Sequence, residues 1–267
     1  MSQRSAGVLY VATERPRFVT EAQHSAESLK RWMPDVHITL FTDRTDTVCA
    51  SPFDTVEYLP RVDGIGCSWG WGLLNKVRAC AHSPYERTLF LDTDTRVLTP
   101  RIREVFALLD THEIALARCE PGESHSQDLY GRPVFNGGVI AFRRTPRVSE
   151  LLNAWRDLHL AHLRAFGENR SHQFAYVRHL DAASRCSLLI NDQTALARHL
   201  APDGVNTFEV SCLTLPRIWN WRRKTIDATH VGDVVIHHSN RFKVDDSEPA
   251  GAPRPQISTA VSDQPIS

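Results

Sequence analysis

Two carboxylates separated by one residue, Asp92 and Asp94, stand at the end of the apolar run Leu89-Phe90-Leu91. The run is short, hydrophobic and bounded by polar residues, which is the pattern of a buried strand. Acid groups at the carboxyl end of such a strand occupy the edge where open α/β sheets bind their ligands. Their hard oxygen donors suit Mg²⁺ or Mn²⁺ carrying a diphosphate. The same residues also fit an ordinary turn, since Asp favours turns and helix starts and Pro100 follows Thr99 where a helix could open. Other polar clusters share this placement. Asn136-Gly137-Gly138 interrupts the apolar run from Val134 to Phe142, Asp192 follows Leu188-Leu189-Ile190, and His237 and His238 close Val234-Val235-Ile236. If the runs share a sheet, these clusters form one site at its edge.

The elements that must position them follow from periodicity. Gly7 to Thr13 reads as a first strand, Phe18 to Met33 as a helix, and His37 to Thr42 as a second strand. Strand, helix and strand in that order make a βα unit feeding a parallel sheet. No Gly-x-Gly-x-x-Gly follows the first strand, so the dinucleotide fingerprint is absent. Thr55 to Leu59 reads as a short third strand, Asp63 to Gly72 as a Gly- and Trp-rich loop or lid, and Leu73 to Ala81 as a helix. Arg101 to Leu109 looks helical, Ile114 to Ala117 looks like a strand, and Pro146 to Phe166 is the longest helical pattern. His159 and His162 sit three apart on it and read as ordinary surface or boundary residues rather than a metal pair, which would need an acidic partner or third ligand near in sequence. A short helix is expected around 174–180, and another from Thr194 to Leu200.

Composition narrows the class. A chain of 267 residues can hold one large α/β domain. The 31 basic and 31 acidic residues cancel, which argues against a general nucleic-acid binder. No stretch approaches the roughly 18 apolar residues that span a bilayer. The N-terminal residues lack the apolar core and cleavage site of a signal peptide, so a cytoplasmic location is expected. The cysteines (Cys49, Cys67, Cys80, Cys119, Cys186, Cys212) are scattered, without a Cys-x-x-Cys pair, and read as reduced thiols rather than zinc ligands. From Asp245 onward the chain is Pro-rich and weakly hydrophobic, so a globular domain over 1–244 and a disordered tail over 245–267 are expected.

Taken in order, the motifs resemble those of the GT-A glycosyltransferases, in particular the glycogenin-like and lipopolysaccharide-galactosyltransferase-like group. Tyr10-Val11-Ala12-Thr13 is similar to the group's first strand. Asn75-Lys76-Val77-Arg78 resembles its Lys-bearing helix, and Tyr85 to Thr95 resembles its Tyr-x-Arg-x-x-Tyr-Leu-Asp-x-Asp segment. Phe135-Asn136-Gly137-Gly138-Val139 resembles its Phe-Asn-small-Gly-Val element, and Asn191-Asp192-Gln193 its Asp-Gln element. His237 and Lys243 keep the spacing of its His-x-x-Gly-x-x-Lys ending, although Asn240 stands where the group usually has Gly. The segment from Asn136 to Asp192 is longer than in the group.

The resemblance implies a single Rossmann-like α/β domain with a mixed, mostly parallel sheet and helices on both faces. It implies a metal-dependent transfer of sugar, with retention, from a nucleotide-diphosphate sugar, most simply a UDP-sugar. The acceptor is left open among glycans, lipids, proteins and small molecules. Asp92, Asp94 and His237 would hold Mn²⁺ or Mg²⁺, with His238 as the rival because neighbouring strand residues point to opposite faces. Lys243 would touch the diphosphate. Thr13, Lys76, Thr93, Gly137 and Gln193 would contact the donor. Asp192 and Asn136 would act at the donor sugar, Asp192 by positioning it or stabilising oxocarbenium charge. Each has an ordinary alternative: a helix cap for Thr13 and Asp192, a solvated lysine, a turn asparagine, a strand-end histidine. Trp69, Trp71, Trp219 and Trp221 suit either a sugar-stacking role or the core. A nucleotidyltransferase on a similar sheet, or a binding protein without turnover, would use much the same residues.

Overall fold

The computed structural model describes residues 4–48, 51–63, 65, 68–120, 133–222, 226, 228–230 and 232–238. Lys243, Asn240 and the 245–267 tail lie outside them, as do Cys49 and Cys67.

The first βα unit forms as its pattern predicts. β1 (Arg4–Val11) leads into α1 (Pro16–Lys30) and β2 (Ile38–Thr42). Pro16 sits in the first turn of α1, where its missing N–H costs nothing. β3 (Thr55–Tyr58), α2 (Ser68–Ala81) and β4 (Tyr85–Leu91) follow. β5 (Thr95–Val97), β6 (Ile114–Arg118) and β7 (Phe135–Arg143) then precede the long α3 (Pro146–Gly167). α4 (Ala182–Ile190), α5 (Asp192–Ala197), β8 (Cys212–Leu215) and β9 (Ile236–His238) complete the described chain.

Seven strands form one sheet in the order β3-β2-β1-β4-β7-β6-β8. β7 runs antiparallel to both its neighbours, while the β1–β2, β2–β3, β1–β4 and β6–β8 pairs are parallel. The sheet is therefore mixed and mostly parallel. Alternation along its strands builds two cores. Val8, Tyr10, Leu89, Leu91 and Val139 face Val19, Ala22 and Leu29 of α1. Leu9, Phe90, Ile140 and Phe142 face Val77 of α2 and Leu151 and Trp155 of α3. Each such side chain contributes roughly 1.5–3 kcal/mol on burial, which explains why β4 is apolar on both faces. Among the described residues no helix is long and apolar enough to cross a membrane.

Four expectations are corrected. α2 begins at Ser68, so Trp69 to Gly72 are helical rather than loop or lid. The cause is close packing: a Cβ on Gly70 would lie 2.4 Å from Leu163 Cδ2 of α3, so the glycine serves helix contact. The 101–109 stretch forms two 3₁₀ turns, Pro100–Glu104 and Ala107–Asp110, instead of one helix. Around 174–180 there is no helix; the regular pieces are the 3₁₀ turn Ser171–Gln173 and α4, which begins at Ala182. The apolar run 188–190 is thus the last turn of a helix. Finally, His159 and His162 are fully buried, because the face of α3 that carries them is covered by α4 and the turn before it.

Candidate active site

The clusters converge in a cleft of about 610 Å³ at one edge of the sheet, lined by Thr13, Lys76, Asp92, Asp94, Asn136, Asp192 and Gln193 among others. β4 delivers Asp92 directly from the buried strand. The Asp92 N–H donates to Gly138 O at 2.8 Å, tying it to β7, and Thr95 Oγ1 donates to Asp92 O at 2.8 Å. Thr93 lines the cleft too and donates to Glu21 Oε2 of α1, another lining residue, at 3.2 Å.

A two-stranded sheet brings the far end of the chain to this turn. β5 pairs antiparallel with β9 in the register Thr95↔His238, Arg96↔His237. That register sets His238 next to Asp94 and carries His237 one residue further away, opposite Arg96. His238 Nε2 lies 2.7 Å from Asp94 Oδ1 and 3.8 Å from Asp92 Oδ2. The imidazole beside the two acids is therefore His238, and the expectation for His237 is corrected. The spacing of His237 to Lys243 matched the group's ending, but strand register decides which ring faces the acids.

Among the described residues, Asp92, Asp94 and His238 are the group with metal-ligand character; one ligand atom from each lies within 4.8 Å of the others. Two hard carboxylate oxygens and one imidazole nitrogen fit a divalent ion such as Mn²⁺ or Mg²⁺. The acids differ electrostatically. Burial raises the Asp92 carboxyl above its ordinary range, although Lys76 and His238 pull against this. Burial would also raise Asp94, but His238 and Arg222 outweigh it and hold that carboxyl below its ordinary range. Arg222 Nη1 is 2.9 Å from His238 Nδ1. A guanidinium can only donate, so Nδ1 accepts and Nε2–H is directed at Asp94.

Lys76 is not a solvated helix lysine. It is buried, with Nζ 2.8 Å from Asp192 Oδ2 and 4.0 Å from Asp92 Oδ1. Burial alone would lower its pKa, and the two carboxylates reverse this and raise it, so the ammonium stays charged. Asp192 is the first residue of α5 but not its cap. Asn191 does that work, its Oδ1 accepting from Gln193 N at 2.8 Å. The Asp192 carboxylate is thereby left to face Lys76 and the cleft.

Asn136 and its glycines lie within β7, whose pairing with β6 shifts register between Leu116 and Arg118, so the Asn-Gly-Gly interruption marks a bulge and a close approach. A Cβ on Gly138 would lie 2.6 Å from His238 Cε1, and one on Gly137 would lie 2.9 Å from Lys76 Nζ. Backbone donors fix both amides. Gly138 N donates to Asn136 Oδ1 at 2.8 Å, and Gly137 N donates to Gln193 Oε1 at 3.1 Å. Asn136 Nδ2 must then donate to Gln193 Oε1, at 3.2 Å. Asn220 Nδ2 adds a second donor to Asn136 Oδ1 at 2.8 Å.

Thr13 caps no helix; its Oγ1 accepts from Asn75 Nδ2 at 3.2 Å and it borders the cleft. The next residue, Glu14, holds φ at 74°, a left-handed backbone fixed where its N–H meets Asp43 Oδ1 at 2.9 Å. Trp71, Trp219 and Trp221 are core, whereas Trp69 is 51% exposed and lines the cleft. Sequence reasoning missed Glu21, Asn220 and Arg222. Glu21 had a signal: it sits three residues after Phe18 and four before Ser25, on the buried face of α1.

No protein-family model and no curated protein matches the chain in sequence. Solved structures match it in shape. The glycosyltransferase GlyE of Streptococcus pneumoniae TIGR4 is similar over 94% of this chain, with 14% identity and a TM-score of 0.53; the chain spans 58% of the length of that one. An active-site mutant of LgtC is similar over 90% of this chain and 92% of its own, with 12% identity and a TM-score of 0.51. This chain therefore has the GT-A-like fold of these glycosyltransferases, the architecture that its ordered motifs led us to expect.

Proposed function

We propose that this chain is a glycosyltransferase that moves a sugar from a nucleotide-diphosphate sugar to an acceptor, with Asp92, Asp94 and His238 holding a divalent ion. The observation that carries the reading is the meeting of those three side chains, from two separate parts of the chain, in the cleft that also holds the Lys76–Asp192 pair. A bound Mn²⁺ or Mg²⁺ supplies Lewis-acid stabilisation to a departing diphosphate.

The chain's own residues do the rest. Lys76 places a fixed positive charge between Asp92 and Asp192. Asp192, held without a capping duty, is available to orient the donor sugar or to face positive charge developing on it. Asn136 and Gln193 present amides whose orientation is locked by backbone N–H groups, so they need not reorganise when a ligand arrives. The exposed ring of Trp69 offers a stacking surface at the cleft wall. UDP-sugars are the favoured donors and retention the favoured outcome, both from the motif resemblance. Lys243 remains the proposed diphosphate contact on the same ground.

The test is turnover of UDP-sugars with and without Mn²⁺, beside thermal-shift screening across UDP-, GDP- and CDP-sugars. Wild-type protein is expected to hydrolyse or transfer from at least one of them in an Mn²⁺-dependent manner, and Asp94→Asn to lose that dependence. Wild-type-like, Mn²⁺-dependent turnover by Asp94→Asn would remove the metal assignment.

A further inference from the structure

Asp192 lies at a junction with no strand ladder to hold it. α4 ends at Ile190, Asn191 is at once the C-cap of α4 and the N-cap of α5, and Asp192 begins α5. α5 has only six residues, too few to fix its own position. α3 grips this junction from beneath. Trp155 Nε1 donates to Asp192 O at 2.7 Å, and His159 Nε2 donates to Ile190 O at 3.0 Å. The two donors are four residues apart on α3 and so share one face. Together they hold the carbonyls on either side of Asn191.

The chemistry of His159 indicates that this bond is its purpose. A carbonyl only accepts, so the ring carries its proton on Nε2 and keeps Nδ1 bare. Among the described residues Nδ1 has no hydrogen-bond partner, and the side chain is fully buried. A buried polar atom left unsatisfied is destabilising, so a hydrocarbon would serve packing better than this imidazole. Burial lowers its pKa, which keeps the ring neutral.

We propose that Trp155 and His159 are positioning residues: they set the backbone at 190–192 so that the Asp192 carboxylate meets Lys76 and faces the cleft. The kinetic consequence rests on the sugar-transfer reading, whereas the mechanical part can be read without any turnover.

The experiment compares full-length Trp155→Phe, His159→Leu and His159→Gln with wild type. A glutamine places its amide nitrogen near the position of Nε2 and keeps the donor, while leucine fills the space without one. Amide hydrogen exchange is expected to accelerate over 191–196 in His159→Leu and Trp155→Phe, to stay at wild-type rates in β4 and β7, and to recover in His159→Gln. Donor turnover is expected to lose about 10- to 100-fold in kcat with little change in KM, again recovering in His159→Gln. If His159→Leu does not fold, Trp155→Phe, which retains an aromatic ring, carries the same comparison. Wild-type exchange in the folded variants, exchange accelerated equally across β4 and β7, or a His159→Gln as impaired as His159→Leu would each overturn the proposal. Should wild type turn over no nucleotide sugar, the sugar-transfer reading fails by itself, and the exchange pattern alone still decides the positioning role.

Discussion

His238 meets Asp94 across the β5–β9 ladder, Nε2 to Oδ1 at 2.7 Å, although more than half of the chain separates the two residues in sequence. Loss of the His238 ring is therefore expected to weaken Mn²⁺ binding by at least about tenfold, the scale on which changes around metal ligands act. His238→Ala and His237→Ala, titrated with Mn²⁺ by calorimetry, separate the two histidines. Equal loss in both, or loss only in His237→Ala, would count against the assignment.

Arg222 bears on the same ring from the other side. An ion on Nε2 requires the proton on Nδ1, where the guanidinium now donates, so Arg222 must turn away when the ion binds. Arg222→Gln also removes a positive charge from a cation site. Both effects act in one direction, and Mn²⁺ affinity is expected to rise. Unchanged or weaker Mn²⁺ binding in the same calorimetric titration would show that Arg222 does not compete with the ion.

Gly138 is a steric requirement. Its added Cβ would stand 2.6–2.7 Å from two atoms of the His238 ring and 2.9 Å from Asn136 Oδ1. Gly138→Ala must displace the His238 ring or the Asn136 side chain, an overpacking cost of about 1–3 kcal/mol. Urea unfolding reads the stability loss, and Mn²⁺ affinity is expected to fall with it. Gly204, where an added Cβ would meet no atom of the described residues within 4 Å but φ is 102°, is a useful contrast, since its alanine variant tests backbone strain without a clash.

Lys76 links two carboxylates, and its removal leaves both without their cation. Lys76→Met is expected to destabilise the protein by about 3–5 kcal/mol, the range for breaking a buried ion pair from one side. Asp192→Asn should cost less, because Lys76 keeps Asp92 at 4.0 Å. Chemical denaturation gives the ordering directly, and a milder loss in Lys76→Met than in Asp192→Asn would contradict it.

His162 makes stability depend on pH. Burial pushes its pKa down to about 3, and its Nε2 is engaged with the Tyr176 hydroxyl. The unfolded chain takes up that proton near the ordinary value of about 6.5, so between the two values the unfolded state binds more protons. Stability is full above the higher value and falls as pH drops toward the lower one, by about 1.4 kcal/mol per pH unit in the middle of that window. His159, also lowered by burial, adds to the fall. Urea unfolding at about pH 7 and about pH 5 should show the decline, and His162→Gln should reduce its slope. A slope unchanged by the substitution would mean the ring is not buried as a neutral group.

Local pattern determined much of this molecule. The apolar run ending at Asp92 is legible as a strand because burial on both faces leaves no alternation to confuse it, and the α1 pattern is legible because one face must meet the sheet. Asp92, Asp94 and Asn136 are nameable because each follows or interrupts such a run, and Asp192 and Gln193 because they follow the apolar last turn of a helix. Tertiary structure decided what depends on distance and register. The choice of His238 over His237 is set by β5 pairing with β9, a contact that no local spacing encodes. The burial of His159 and His162 comes from α4 covering α3, and the helical start of α2 from Gly70 meeting Leu163. Pattern fixes which residues prefer a strand end or a helix face, whereas the partner that reaches each of them is chosen only when the packed chain selects one register from several of similar local energy.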